Sequence, residues 1–149
     1  MSTDNRSLPV RDYLDMGLTM TALQAVRHPR PAYHLCFRLH MTNVGSTGLR
    51  LLGRKWTLRD RSGNTRIIEA EQVFNQQPVL RPGEVFAYSG CHSFESTPCA
   101  AELRFFGTDR LNEPFITPAL VFPHRCFASL TEPSLSFICH AHCSLHACL

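Results

Sequence analysis

The amino-acid sequence predicts an all-β protein, an antiparallel β-sandwich of about seven short strands followed by an irregular tail rich in cysteine and histidine. Three observations predict it. Apolar and polar residues alternate in short runs that recur at roughly 8–12-residue spacing. The gaps between runs hold turn chemistry, above all Leu80-Arg81-Pro82-Gly83-Glu84, where Pro82 presets φ and Gly83 tolerates the positive φ that follows. No stretch joins a helix cap to a 3.6-residue apolar period, so α/β architectures lose their support.

Each element has its own reason. Met1 to about Asp15 has no sustained period, and Pro9 with mixed charges makes 1–15 a flexible arm. From Leu18 to Val26 the chain alternates as a half-buried strand does, until Arg27-His28-Pro29-Arg30-Pro31 breaks it. Tyr33, Leu35, Phe37, Leu39 and Met41 then alternate without a miss against His34, Cys36, Arg38, His40 and Thr42, so the first set faces a core. Asn43-Val44-Gly45-Ser46-Thr47-Gly48 is a turn by composition. Leu49 to Asp60 is a third strand, with Trp56 and Leu58 inward and Lys55, Thr57 and Arg59 outward. Asp60-Arg61-Ser62-Gly63-Asn64 connects it, hairpin-fashion, to Thr65–Glu69. Glu69 to Gln77 reads as a loop or a frayed edge strand.

Val85 to Tyr88 carries strand-favouring residues, and Ser89-Gly90-Cys91 is expected to end that run in a loop closing at Pro98. Ala101, Leu103 and Phe105 form the inward set of the next strand. Phe115 to Phe122 makes the last, interrupted by Pro118, which argues for an edge position or a bulge. The expected organisation is therefore an arm over 1–15, one sandwich domain over 16–123 and an irregular or disordered tail over 124–149.

Composition narrows the function classes. A chain of 149 residues with 44% apolar content is long enough to bury a real core, and its formal charge of +3 is too mild to mark a dedicated nucleic-acid binder. The opening residues carry acidic side chains before any apolar run, so no export signal is read and a cytoplasmic address is expected. There the seven cysteines should be reduced thiols. No segment is apolar enough for a membrane span.

Certain segments carry a family resemblance. LLGRKWTLRDRSGNTR, with its W-x-L-x-D-x-x-G core at Trp56, Leu58, Asp60 and Gly63, is one; QQPVLRPGEVFAYSGC, from Gln77 through Glu84, is another. With the TNVG ending at Asn43 and the closing Phe122-Pro123, they resemble the ApaG domain, also called the DUF525 family, over about Leu18 to Pro123. The resemblance implies an immunoglobulin- or fibronectin type III-like sandwich. It also implies a protein-interaction module with another protein as partner, expected to be non-enzymatic because no catalytic constellation assembles in the sequence; the alternative, resting on the family association and the Cys/His tail, is a metal or small-ligand binder linked to cobalt and magnesium homeostasis. It carries over no catalytic residue, and no cofactor is expected. Bacterial members often have a glycine-rich segment, R-G-E-G-x-x-G-E-Q-P, resembling a nucleotide-binding fingerprint. Here Ala70, Gln72 and Asn75 occupy its glycine positions, which removes the backbone access a pyrophosphate needs.

Other residues carry candidate chemistry of their own. Cys139, Cys143 and His146, completed by Cys126 or His124, hold zinc's preferred ligand types, and a helical tail would put the first three near one face. Their spacing matches no standard framework, and an irregular extension is the preferred account. Cys91 and His92 are adjacent, so in an extended segment they point apart and cannot share a proton. Glu69 and Glu71 would share a strand face, more simply as a solvated edge than as paired carboxylates. Arg38, Arg50, Arg54, Lys55, Arg59, Arg61 and Arg66 would make a positive outward face if their strands share a sheet, with a solvated surface preferred over a ligand site.

Overall fold

The computed structural model describes residues 8–26, 31–73, 75–94, 96, 98–122 and 136–143. They form ten strands and no helix. The strands are β1 (Leu14–Val26), β2 (Pro31–Asn43), β3 (Leu49–Asp60), β4 (Thr65–Ala70), β5 (Val79–Leu80), β6 (Val85–Phe94), β7 (Pro98–Thr108), β8 (Pro114–Ile116), β9 (Leu120–Phe122) and β10 (Ser136–Cys143). One sheet runs β10-β1-β2-β6; the other runs β4-β3-β7-β8, with β5 also on β3 and β9 also on β7. Every strand pairing is antiparallel.

The alternation in β2 decides the core as expected. Tyr33, Leu35, Phe37, Leu39 and Met41 are all buried, and they meet Trp56, Leu58, Leu103 and Phe105 from the facing sheet. Arg38 and His40 lie exposed on the other face. Gly83 adopts φ 85°, as the proline-glycine turn requires, and the Glu84 amide donates to the Arg81 carbonyl at 3.0 Å. In the hairpin between β3 and β4, the Asp60 carboxylate accepts from the Ser62 amide at 3.0 Å and the Asn64 amide at 3.1 Å. The Asp109 loop repeats the device, accepting from Leu111 and Glu113.

Several expectations give way. β6 does not stop at Tyr88: residues 89–91 continue the ladder to Phe94. Gly90 stands opposite Phe37, whose ring lies 2.7 Å from where a Cβ would sit, so this glycine is a packing site inside a strand rather than a breaker. The same pairing puts Cys91 opposite Cys36, and the two form a disulfide, so not all seven cysteines are thiols. Pro118 splits the last expected strand into β8 and β9, both on β7; between them the buried Thr117 accepts the Phe105 amide on its Oγ1 at 2.9 Å.

The two ends of the chain also differ from expectation where they are described. Residues 9–11 run beside β8: the Arg11 amide donates to the Ile116 carbonyl and the Ile116 amide to the Pro9 carbonyl, both at 2.9 Å. β1 begins at Leu14, inside the expected arm. In the expected irregular tail, Ser136–Cys143 forms β10, paired with β1 from Met16 to Leu23. Arm and tail thus contribute backbone pairing to the two sheets.

Candidate interaction site

The feature with most unspent polar chemistry lies at the side of the sandwich where the edges β4 and β6 approach. A register shift in β3 between Leu51 and Gly53 creates it. Before the shift the buried positions are Leu49 and Leu51; after it they are Trp56 and Leu58, so the alternation has changed phase. Arg54 therefore shares a side with Trp56 instead of facing outward. Its Nη1 donates to the Gln72 carbonyl at 2.8 Å, past the small residue Ala70 that pairs with it. On β4, Arg66 takes the equivalent side opposite Leu58, and its guanidinium lies 5.0 Å above the Phe94 ring of β6.

Between the two arginines sits His92. Its ring stacks on Phe37 at 5.5 Å and meets Trp56 edge-on at 4.9 Å, and its Nε2 is buried without a hydrogen-bond partner. Burial, then the positive charges of Arg66 and Arg54, push its pKa down to about 4. It is a neutral imidazole at pH 7. Tyr88, on the same side of β6, is pushed up to about 12 by burial, against a smaller opposing effect of Arg54. A base so far below neutrality is poorly matched to proton abstraction.

The outer face of the second sheet looks different. Two cavities of about 360 Å³ and 270 Å³ lie there, both touching Leu8 of the arm. The larger is lined by Lys55, Glu102 and Arg104, but its charges are already matched: Lys55 Nζ lies 3.6 Å from Glu69, and Arg104 Nε lies 3.2 Å from Glu102. Among the described residues neither Arg54 nor Arg66 has such a carboxylate.

The residues singled out in the sequence fall as follows. Cys91 is bonded to Cys36, at a β6 position alternate to His92, so the pair is not brought together. Glu69 serves Lys55, and Glu71 contributes its carbonyl to the Gln77 side chain at 2.9 Å. Asn75 stands at φ 62°, a left-handed backbone that asparagine tolerates. Arg38 belongs to the other sheet from Lys55, Arg59 and Arg66, and Arg54 and Arg66 turn to the inner side; no single basic face exists. Cys139 and Cys143 lie on an extended strand, at register positions opposite Met20 and Met16, so helical spacing does not apply to them. His146, Cys126 and His124 lie outside the described residues. Among the described residues no three His, Cys, Asp or Glu side chains converge as metal ligands, and no helix is long and apolar enough to cross a membrane.

A sequence profile of the ApaG domain (DUF525) matches residues 24–103, more than half of the chain. The chain belongs to the ApaG domain family. Its relatives include Protein ApaG of Acidovorax sp. (strain JS42), 31% identical over 97 residues that make up 64% of this chain and 70% of that protein. Protein ApaG of Methylococcus capsulatus is 33% identical over 78 residues, 50% of this chain and 62% of that one. For the relative from Xanthomonas campestris (strain B100) the values are 37% over 57 residues, 38% and 45%, so the chain spans under half of that protein. Two solved structures share the fold. A Northeast Structural Genomics Consortium target superposes with a TM-score of 0.62 at 15% identity, over 74% of this chain and 86% of its own. A Bordetella pertussis protein described as ApaA gives 0.57 at 19%, over 87% and 95%.

Proposed function

We propose that this ApaG-domain chain is a non-enzymatic protein-interaction module that offers an open sheet edge to another protein, in the cytoplasm. The observation that supports this most is β4. It is an end strand of its sheet, and Ile67 on it is 57% exposed. Such an edge presents unpaired backbone N–H and C=O groups beside an apolar side chain, the ingredients of strand addition. The non-enzymatic part is supported by the adjacent thiol and imidazole of β6, one locked in a disulfide and the other held neutral in an aromatic sandwich.

The test is a capture experiment with the full chain as bait, run beside an Ile67→Asp variant of equal thermal stability. A partner retained by the first and lost by the second is the expected result. Capture of nothing specific, or of the same proteins by both baits, overturns the reading.

A further inference from the structure

We propose that the β4 edge takes an extended acidic segment of a partner protein as an added strand, read by Arg66 and Arg54. The inference rests on the interaction-module reading and names the chemistry of the partner.

The edge keeps a regular ladder, with Arg66 and Glu69 as its only charges. Natural edge strands are commonly blunted by proline, lysine or a bulge. Thr65-Arg66-Ile67-Ile68-Glu69-Ala70 has neither proline nor lysine, and its register against β3 runs unbroken from Arg59–Thr65 to Arg54–Ala70. Among the described residues nothing pairs with its outer side.

Charge specifies what should pair there. Arg66 and Arg54 lie on the inner side of the edge, and both bear on His92 between them. The Arg66 guanidinium stands 5.0 Å over the Phe94 ring, a contact that uses none of its N–H donors on a carboxylate. Arg54 uses one nitrogen on a backbone carbonyl and keeps the rest of its fork. Glu69 pairs with Lys55, Asp60 is held in its own turn, and Glu71 makes no ion pair with either arginine. A carboxylate from outside would meet two guanidinium groups that have no carboxylate partner among the described residues.

Spacing narrows the segment further. Arg54 pairs with Ala70, four positions along β4 from Arg66, a separation of about 13 Å at ~3.3 Å per residue. In an added strand, residues i and i+4 share a face at that same separation. The partner should therefore carry Asp or Glu at i and i+4 on the inner side, with a small residue at i+2 over Ile68. Its residues i+1 and i+3 fall on the outer side, where apolar side chains would cover Ile67. Single-stranded nucleic acid is the poorer fit: Trp56 and Phe94 are buried, so no aromatic face is open for base stacking.

The probe is a fluorescein-labelled peptide, TEVTVEVT, titrated against the full chain by anisotropy, with TKVTVKVT as control. Binding of the glutamate peptide alone is expected, weakened about tenfold or more by Arg66→Gln and by Arg54→Gln. Arg66→Lys should recover part of it, since the charge returns without the fork. In the complex the β4 amides should exchange more slowly with solvent. The proposal is overturned by equal binding of both peptides, by no binding, by indifference to both arginine substitutions, or by displacement with oligo-dT. A captured partner that is lost with Ile67→Asp yet indifferent to the arginine substitutions would overturn this inference alone and leave the interaction-module reading standing.

Discussion

Two regions of the sandwich handle buried polarity in opposite ways. At the end near the Arg81–Glu84 turn, the buried amide of Asn43 leaves nothing unmet. Its Nδ2 donates to the Thr47 carbonyl at 2.8 Å and the Leu80 carbonyl at 2.9 Å, and its Oδ1 accepts the Gly45 amide at 2.9 Å. Its main chain accepts from Gly83 at 2.8 Å and donates to Glu84 at 3.1 Å. At the side between β4 and β6, His92 Nε2 and Trp56 Nε1 are buried without partners, and two arginines lack carboxylates among the described residues. Unsatisfied buried groups cost stability, so where they persist next to an open edge they point to use rather than to architecture. The closed end builds the fold, and the open side is where a partner has something to complete.

Three perturbations separate these roles. The largest effect is expected on the open side, because β6 is fastened to β2 by the only covalent crosslink among the described residues. Cys36 and Cys91 are 55 positions apart, so their bond removes loop entropy worth about 4 kcal/mol in the chain-entropy account. Cys36→Ser with Cys91→Ser, or reduction by dithiothreitol, should lower the urea-unfolding free energy by about 2–4 kcal/mol. Mass-tagged thiol labelling of protein taken directly from cells fixes the bond's natural state. Labelling of both cysteines there would mean the reduced form is the working one. An unfolding free energy unchanged by reduction would leave β6 held by packing and ladder alone.

Next is the closed end. Asn43→Ala removes three side-chain hydrogen bonds and leaves two carbonyls and an amide to find water at a buried site, which should cost about 3 kcal/mol. Arg66→Gln, by contrast, should shift stability by less than about 0.5 kcal/mol, since an exposed arginine with one ring contact and no ion pair among the described residues supports little. Equal losses from the two substitutions would erase the distinction between end and side.

How far the sequence exposes these features follows from which contacts are local. β2 and β3 are legible because period-two alternation is a property of consecutive residues, and the turn at Pro82-Gly83 because φ is set within the dipeptide. Gly90 is not, since its place in a strand depends on the Phe37 ring arriving from another strand. Cys36 and Cys91 face each other only through the β2–β6 register, which no spacing rule discloses. Asn43 reads as one turn residue among several, because its two acceptor carbonyls come from a loop and from β5. Arg54 did leave a trace: the apolar positions of β3 run Leu49, Leu51, then Trp56, Leu58, and the change from odd to even marks a bulge. β10 shows little alternation of its own and gains its order by pairing with β1.

A pH-dependent effect, smaller than the loss expected at Asn43, tests the electrostatics of the open side. His92 ordinarily titrates at 6.5 and is pushed down to about 4 in the folded chain, by burial first and by Arg66 and Arg54 after it. The unfolded chain therefore binds a proton that the folded chain refuses. The stability tied to neutral His92 is fully present above about pH 6.5, falls as pH drops through the window, and is lost below about pH 4. A shift of this size corresponds to an upper bound of about 3 kcal/mol, and screening by solvent at the partly open site reduces the expected loss to about 1–2 kcal/mol. His92→Phe keeps an aromatic ring between Phe37 and Trp56 and removes the buried Nε2, so its stability should be nearly flat over the same window once the common carboxylate effects are subtracted. The subtraction is made by comparing urea midpoints of the two proteins from pH 7 to pH 4. Adding Arg66→Gln to the natural sequence should raise the His92 pKa and narrow its pH-dependent loss, because the larger of the two charge effects on the ring is gone. An unchanged profile in that variant would mean that Arg66 does not act on the ring. Arg66 would then lie too far from His92 to share with Arg54 the acidic site proposed for the β4 edge.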